Sequence, residues 1–321
     1  MSFWKGKRVL VTGGEGFIGS HLVELLLAAG AKVRVADRSP KRWLEGAPVE
    51  RHKTSLASVA DCRQAAEGQE AVFHLAGRVA GVSYNQAHPG TMLRENVLLN
   101  TNMLEGARLA GVERFLVVSS ACVYRRDAPV PTPETEGFVD DPEPTNFGYG
   151  WAKRVAEVQA RAYALEFGMK IGVARPYNAY GPRDHFDSES SHVIASLVRR
   201  VNAGEDPLVV WGGGEQSRSF LYVRDFADGL MRVLESHPTP DPINLGADEE
   251  VKIKELVSLI CELSGRSPKL VYDASKPTGQ PRRSCDGTKA LKVLGWRPRT
   301  TLREGLRETI EWYLAAKAAS R

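Results

Sequence analysis

The segment YGWAK sets Tyr149 and Lys153 four residues apart. On a helix that spacing puts both side chains on one face. An ammonium beside a phenol stabilises the phenolate and lowers its pKa, so the tyrosine can take a proton from a hydroxyl or return one. Ser120 closes the apolar run FLVVSS and can hydrogen-bond the same oxygen. Cys122 follows two residues later, in SSACVYRR. A thiol there can carry a proton, or it can fill space as a small hydrophobe. His192 precedes the apolar run VIASLV. Imidazole titrates near ~6.5 and serves as acid or base at neutral pH, although a histidine ahead of a helix is also an ordinary cap or surface residue.

Such groups need a scaffold that brings them to one edge. RVLVT, KVRVAD, AVFHLAG, RFLVVSS and KIGVARP are short apolar runs of the kind that form strands buried on both faces. Helical segments alternate with them: SHLVELLLAAG, NVLLNTNMLEGARLAG and YGWAKRVAEVQARAYALEFG. The alternation predicts an α/β fold, a Rossmann doubly wound parallel sheet with helices on both faces. Ligands bind such a sheet at its C-terminal strand edge, where Ser120 ends a strand.

The segment VLVTGGEGFIGSHL joins the first strand to the first helix. Gly13, Gly16 and Gly19 are spaced GxxGxxG, and Gly14, Gly16 and Gly19 satisfy GxGxxG. The glycines permit a tight turn, and the helix N-terminus offers N–H groups to a pyrophosphate. Asp37 ends the second strand. A carboxylate there accepts both ribose hydroxyls of an adenosine and repels a 2′-phosphate, which favours NAD over NADP; the adjoining Arg38 softens that preference.

Residues 1–175 read as the NAD-binding domain and residues 176–321 mainly as a smaller α/β domain for substrate, with a segment near 219–247, FLYVRDFADGLMRVLE onward, returning to the main sheet. Pro238–Pro242 and Pro277–Pro281 read as loops, and IKELVSLICELSG and LREGLRETIEWYLAAKA as helices. Asn178 can bond a diphosphate oxygen or sugar hydroxyl. Arg200, Arg218 and Arg283 are candidates for charge-assisted bonds to a diphosphate or ribose. Trp211 can pack against a nucleoside. Surface arginines and a core tryptophan are the plainer alternative.

Composition excludes several classes. The 321 residues are 42% hydrophobic and 26% charged, with a net charge of +4 and no block of Lys or Arg, so no nucleic-acid partner is expected. No apolar run approaches the ~20 residues of a membrane span, and no secretory signal precedes the first strand, so a cytoplasmic location is expected. The four cysteines form no CxxC pair, so neither a metal nor a disulfide is expected.

With these motifs in place, the chain resembles the extended short-chain dehydrogenase/reductase family over nearly its whole length. The marks are TGGEGFIGSHL, VFHLAG, ENVLLNTNMLEGAR, YGWAK, RPYNAYGP, RSFLYVRDFADG, INLG and LGWRPRTTLREGL. The resemblance implies a nucleotide-sugar epimerase, dehydratase or reductase using NAD. Lys153 would also hold the nicotinamide ribose, and Phe17, Ile18, Ser55, Leu56, Leu75, Ala76, Asn96, Ser119 and Tyr177 would line the cofactor. It also implies a homodimer through the helices that begin NVLLNTNML and YGWAKRVAEV.

Within the family, SSACVY is similar to the stretch carrying the catalytic serine and cysteine in GDP-fucose synthases and GDP-mannose 3,5-epimerases. SESSHVIASLVRR is similar to the fucose-synthase stretch with a catalytic histidine, and VVWGGGEQSRSF and GQPRRSCD to parts that grip the nucleotide; Val193 falls with the substrate contacts. By this resemblance Cys122 and His192 form the epimerising acid/base pair on a 4-keto GDP-sugar. The 4,6-dehydratases carry Thr-Asp-Glu where Ala121 and Cys122 stand here, and a simple 4-epimerase would leave Cys122 without a role. The family's acidic residue before the adenine-flanking position is missing, with Ser55 and Leu56 there instead. The fucose-synthase group consumes NADPH, whereas Asp37 favours NAD; the 3,5-epimerases retain NAD but place a lysine at the position of His192. An NAD(P)H-consuming 4-keto-sugar epimerase/reductase, a simple nucleotide-sugar 4-epimerase, and a non-catalytic NAD-binding sensor or scaffold stand as alternatives.

Overall fold

The structure is a computed structural model and describes residues 2–38, 42–186, 191–275 and 280–319. Seven strands make the central sheet: β1 (Arg8–Thr12), β2 (Lys32–Asp37), β3 (Glu50–Lys53), β4 (Ala71–His74), β5 (Arg114–Val118), β6 (Lys170–Pro176) and, much later in the chain, β11 (Ile243–Leu245). Their spatial order is β11-β6-β5-β4-β1-β2-β3, and every pairing is parallel. The apolar runs that predicted strands are buried along β1, β4 and β5 because helices cover both faces. The order reverses between β1 and β4, which opens a crevice at their C-terminal ends.

Helices α1 (Phe17–Ala28) and α7 (Val223–Ser236) pack on one face, where Val9, Val11, Leu22, Leu26, Phe73, Leu230 and Val233 form a core with Trp4. Helices α2 (Val59–Ala66), α4 (Pro89–Leu109) and α5 (Phe147–Phe167) pack on the other, over Leu10, Val72, Met103, Phe115, Val117 and Val173. The short α3 (Val82–Ala87) leads into α4.

The remaining elements are β7 (Ala179–Tyr180), β8 (Leu208–Trp211), β9 (Ser217–Ser219), β10 (Leu221–Tyr222), β12 (Glu250–Lys252), β13 (Leu270–Asp273) and β14 (Arg282–Arg283), with α6 (Val193–Asn202), α8 (Ile253–Leu263), α9 (Thr288–Leu294) and α10 (Leu302–Ala319). Apolar faces of α6, α8 and α10 meet in a second core with Tyr180, Phe186 and Tyr222. The strands here form small sheets: β10 with β7, β8 with β13, and β9 between β12 and β14. After β10 the chain returns through α7 and β11 to the main sheet.

Three features differ from the sequence reading. Helix α1 begins at Phe17 rather than Ser20, because Gly16 is its N-cap and the glycine loop runs straight into the first turn. Strand β3, ERHK, has no apolar alternation because it lies at the sheet edge with its side chains largely in solvent. Strand β11 is three residues long, too short to show a period. The loop at 238–242 separates α7 from β11, whereas the loop read at 277–281 lies outside the described residues up to Gly279.

Candidate active site

The crevice begins at the glycine loop. Gly13 has φ +67°, a region costly for other residues, and its N–H donates to Ala36 O at 2.9 Å. A Cβ on Gly19 would stand 2.1 Å from Gly13 O, so the turn closes only with glycine there. The first turn of α1 holds no acidic side chain and no side chain caps it, which leaves its positive end open to an anion. Phe17 and Ile18 in that turn are half-buried. Asp37 sits beside the loop at the end of β2: its carboxylate accepts Glu15 N at 3.3 Å and Arg38 N at 2.7 Å, each oxygen keeping a further lone pair for a ribose hydroxyl. Arg38 is exposed. These residues fit the phosphates and ribose of a dinucleotide.

Opposite, the chain leaving β4 is pinned. Leu75 N donates to Thr12 O at 3.2 Å, Ala76 N to Thr12 Oγ1 at 3.1 Å, and Thr12 Oγ1 meets His74 Nδ1 at 2.8 Å. Asn96 spends its amide on backbone: Nδ2 donates to Arg78 O and Met92 O, and Oδ1 accepts Arg78 N. It therefore anchors the loop after Ala76. Leu56 is buried with φ +55°, beside an exposed Ser55.

The catalytic candidates gather at the end of β5. Ser120 Oγ accepts Cys122 N at 3.1 Å and hydrogen-bonds the Tyr149 phenol. Lys153 Nζ lies 5.4 Å from the centre of the Tyr149 ring and donates to Val118 O at 2.7 Å. Burial lowers the Lys153 pKa to about 8, against the opposing pull of Cys122 and Glu157. The Tyr149 phenol shifts the other way from the sequence expectation. Burial, then the Cys122 sulfur, raises it above its ordinary value, against the Ser120 hydrogen bond and the charge of Arg283. Desolvation of the phenolate outweighs what spacing to a lysine supplies.

Beneath this group lies an ionic network that the sequence did not reveal. Arg175 donates to Glu157 from Nε at 2.8 Å and from Nη2 at 2.6 Å, with both side chains almost fully buried. Ser119 Oγ donates to the same carboxylate, so Glu157 fixes the residue before Ser120. Arg175 also reaches Glu134 O at 2.7 Å and the Tyr124 hydroxyl at 3.1 Å. Nearby, Tyr177 is buried, with its N–H on Leu245 O at 2.9 Å.

From the second half of the chain, Arg283 on β14 donates from Nη2 to Cys122 Sγ at 3.4 Å. Burial opposes the Arg283 charge, but Cys122 outweighs it and the guanidinium pKa is raised. Arg218 on β9 is the register partner of Arg283. Burial, then the Arg283 charge, lowers Arg218 to about 10. Two adjacent half-buried guanidinium groups suit an anion of more than one charge. Glu143, buried near both, leaves Oε1 without a hydrogen-bond partner and was not foreseen. Asn178 Nδ2 donates to Ser219 O at 2.8 Å. Trp211, half exposed, ends β8. Arg200 is engaged elsewhere, with Glu205 at 2.7 Å and Val209 O at 2.7 Å, so it ties α6 to β8.

His192 stands at the N-terminus of α6, next to the exposed Val193, but its side chain does not cap the helix. Its Nδ1 lies 3.1 Å from Asp184 Oδ1, and among the described residues it makes no hydrogen bond with Cys122. The structure thus brings together Ser120, Cys122, Tyr149, Lys153, Arg218 and Arg283, and pairs His192 with Asp184. No group of three or more metal-ligating side chains occurs among the described residues, and no helix among them is long and apolar enough to cross a membrane.

Comparison with known proteins gives the same picture at larger scale. Residues 9–246 match the model of the NAD dependent epimerase/dehydratase family. A relative named Probable GDP-L-fucose synthase 1, from Oryza sativa subsp. japonica, is 35% identical over 317 residues, covering 97% of this chain and 93% of the relative. GDP-mannose 3,5-epimerase 1 of the same organism is 29% identical over 318 residues, covering 97% and 83%. The crystal structure of the UDP-glucose 4-epimerase of Thermotoga maritima with UDP-glucose superposes with a TM-score of 0.88 at 30% identity, covering 97% of this chain and 99% of that one.

Proposed function

The chain is an enzyme belonging to the NAD-dependent epimerase/dehydratase family and acting on nucleotide sugars, and on that premise we propose that it epimerises C3, C5 or both of a GDP-sugar through a transient 4-keto sugar. The observation that carries this reading is the setting of Cys122. It shares the end of β5 with Ser120 and Tyr149 and meets a guanidinium at 3.4 Å, where a thiol that merely filled space would meet apolar groups.

The glycine loop and Asp37 would hold NAD, which would supply reversible hydride exchange at sugar C4, so that C4 is a ketone for part of the cycle. Tyr149 Oη takes the C4 hydroxyl proton and later gives it back, with Ser120 holding the same oxygen. Lys153 holds the nicotinamide ribose and adds positive charge beside the phenol. The ketone acidifies the C–H bonds at C3 and C5. Cys122 Sγ, as thiolate, removes that proton, and His192 supplies one from the opposite side, which inverts the carbon. Arg218 and Arg283 neutralise the diphosphate, and Asp37 selects NAD over NADP at the adenosine ribose. Residues 1–175, with the returning segment near 219–247, take the dinucleotide, and residues 176–321 mainly take the nucleotide sugar.

A second reading, an epimerase/reductase that consumes NAD(P)H, is supported by His192 and by the 35% identity to a protein named for GDP-L-fucose synthesis. Product NMR over a panel of GDP-, UDP- and dTDP-sugars, with nicotinamide absorbance followed in parallel, decides between them. A C3 or C5 epimer with no net change in absorbance is expected. Net loss of reduced nicotinamide on a 4-keto sugar would establish the second reading, and inversion at C4 alone would overturn both.

A further inference from the structure

The loop between β7 and α6 is held in an unusual way. Arg183 has φ +69°, a left-handed conformation that a non-glycine residue adopts only at a cost. Two ties to α1 keep it there: Arg183 Nη2 donates to Glu24 Oε1 at 2.5 Å, and Pro182 O lies 3.0 Å from His21 Nε2. Three residues further on, Phe186 is buried and stacks on Tyr313 of α10 at 4.9 Å between ring centres. Between these anchors stands Asp184, whose side chain is 2% exposed. Its Oδ1 accepts His185 N at 2.7 Å and lies 3.1 Å from His192 Nδ1, with Oδ2 at 3.3 Å from the same nitrogen.

We infer that Asp184 is the positioning residue of His192: it takes the Nδ1–H, fixes the ring, and leaves Nε2 as the atom that exchanges a proton with the sugar carbon. The inference rests on the reading of His192 as the proton donor in the epimerase. An imidazole bound this way has one tautomer when neutral and a compensated charge when protonated. The His192 side chain is 46% exposed; the partial loss of solvent around the ring would lower its pKa, but the hydrogen bond and charge of Asp184 outweigh it and the pKa is raised. Among the described residues, no other charged group acts on the ring in this way. Along α6, Arg200 is bound to Glu205, and the side chains that α8 and α10 give to the shared core are apolar, Leu256, Val257, Ile260, Leu306 and Ile310 among them.

The proton balance is simple. Cys122 thiolate removes the proton from C3 or C5, and the C–H electron pair moves into an enolate on the C4 oxygen. Imidazolium Nε2–H of His192 then gives its proton to the same carbon, and the enolate pair forms the new C–H bond. Cys122 ends as a thiol and His192 as a neutral imidazole, its Nδ1–H still on Asp184. Solvent removes one proton from the thiol and supplies one to the imidazole.

Two measurements test this. In the first, the holoenzyme is labelled with ¹³C at histidine Cε1 and titrated by NMR, the His192 signal being the one lost in His192→Gln. Its midpoint is expected above ~6.5 in the wild type and lower by ~1 unit or more in Asp184→Asn, whose amide accepts the hydrogen bond but carries no charge. In the second, deuterium incorporation at carbon is followed against pH on a supplied 4-keto GDP-sugar, which bypasses oxidation at C4. The alkaline limb is expected to move down with the midpoint, giving ~10-fold slower exchange above both midpoints. A midpoint that does not move overturns the pairing. A midpoint that moves beside an unmoved limb overturns the inference through its premise, that His192 carries the proton. If Asp184→Asn does not fold, the wild-type titration decides, and a His192 midpoint at or below ~6.5 overturns the inference.

Discussion

Cys122 is half-buried, whereas Cys62, Cys261 and Cys285 are all buried. Burial pushes the thiols of Cys62 and Cys285 up to about 12, as befits groups that only fill space. Sequence reading could set Cys122 apart only by its neighbours in SSACVY; the contact with Arg283, 161 residues away, is a product of folding. The Tyr149, Lys153 and Ser120 group was legible because one helical spacing and one strand end define it. The direction of the phenol shift was not, because burial has no sequence signature. Asp184 was missed for a similar reason: an aspartate eight residues before a histidine, across a loop, has no period that marks it. Lys153 supplies a prediction at this scale. Its folded pKa of about 8 means that its charge is lost as pH rises through that value. The rate of reduced-nicotinamide formation on mixing enzyme, NAD and substrate is expected to fall above pH ~8, and Lys153→Met is expected to be slow and without that limb.

The elements were read best where one physical rule dominates. A strand buried on both faces shows as a continuous apolar run, so β1, β4, β5 and β6 stood out, while the charged edge strand β3 and the three-residue β11 did not. The glycine loop was legible because its chemistry is backbone chemistry. Gly19→Ala puts a methyl 2.1 Å from Gly13 O and is expected to weaken NAD binding at least ~10-fold in a fluorescence titration, with a lower melting temperature. Gly16→Ala, whose Cβ would stand 3.0 Å from the same oxygen, is expected to cost less on both counts. Besides their apolar contacts, α5 and β6 are tied by the Arg175–Glu157 pair, which neither element's pattern announces. Arg175→Ala leaves a buried carboxylate without its counter-charge and is expected to cost ~3–5 kcal/mol in urea unfolding. Arg175→Met combined with Glu157→Leu is expected to recover part of that loss, and a double variant as unstable as the single one would contradict the account.

For the whole molecule, the class of fold was legible in the alternation of strands and helices. How the second core closes on α6, α8 and α10 was not, since those helices meet across long stretches of chain. Global stability carries its own pH signature. Burial lowers His21 to about 4 and His74 to about 3. Between ~6.5 and those values the unfolded chain binds protons that the folded one does not, so their contribution is present above ~6.5 and is lost as pH falls. The urea midpoint is expected to drop already between pH 6.5 and 5, above the ordinary carboxylate range, and His21→Gln is expected to flatten that slope. The claim that the fold exists to invert a carbon beside a transient ketone is tested most directly in D₂O. Wild-type enzyme with NAD and the GDP-sugar found as substrate is expected to place deuterium on C3 or C5 of the product. Cys122→Ser is expected to slow that exchange ~10²-fold or more while reduced nicotinamide still forms. Product formed with no carbon-bound deuterium, or exchange undiminished in Cys122→Ser, would contradict it.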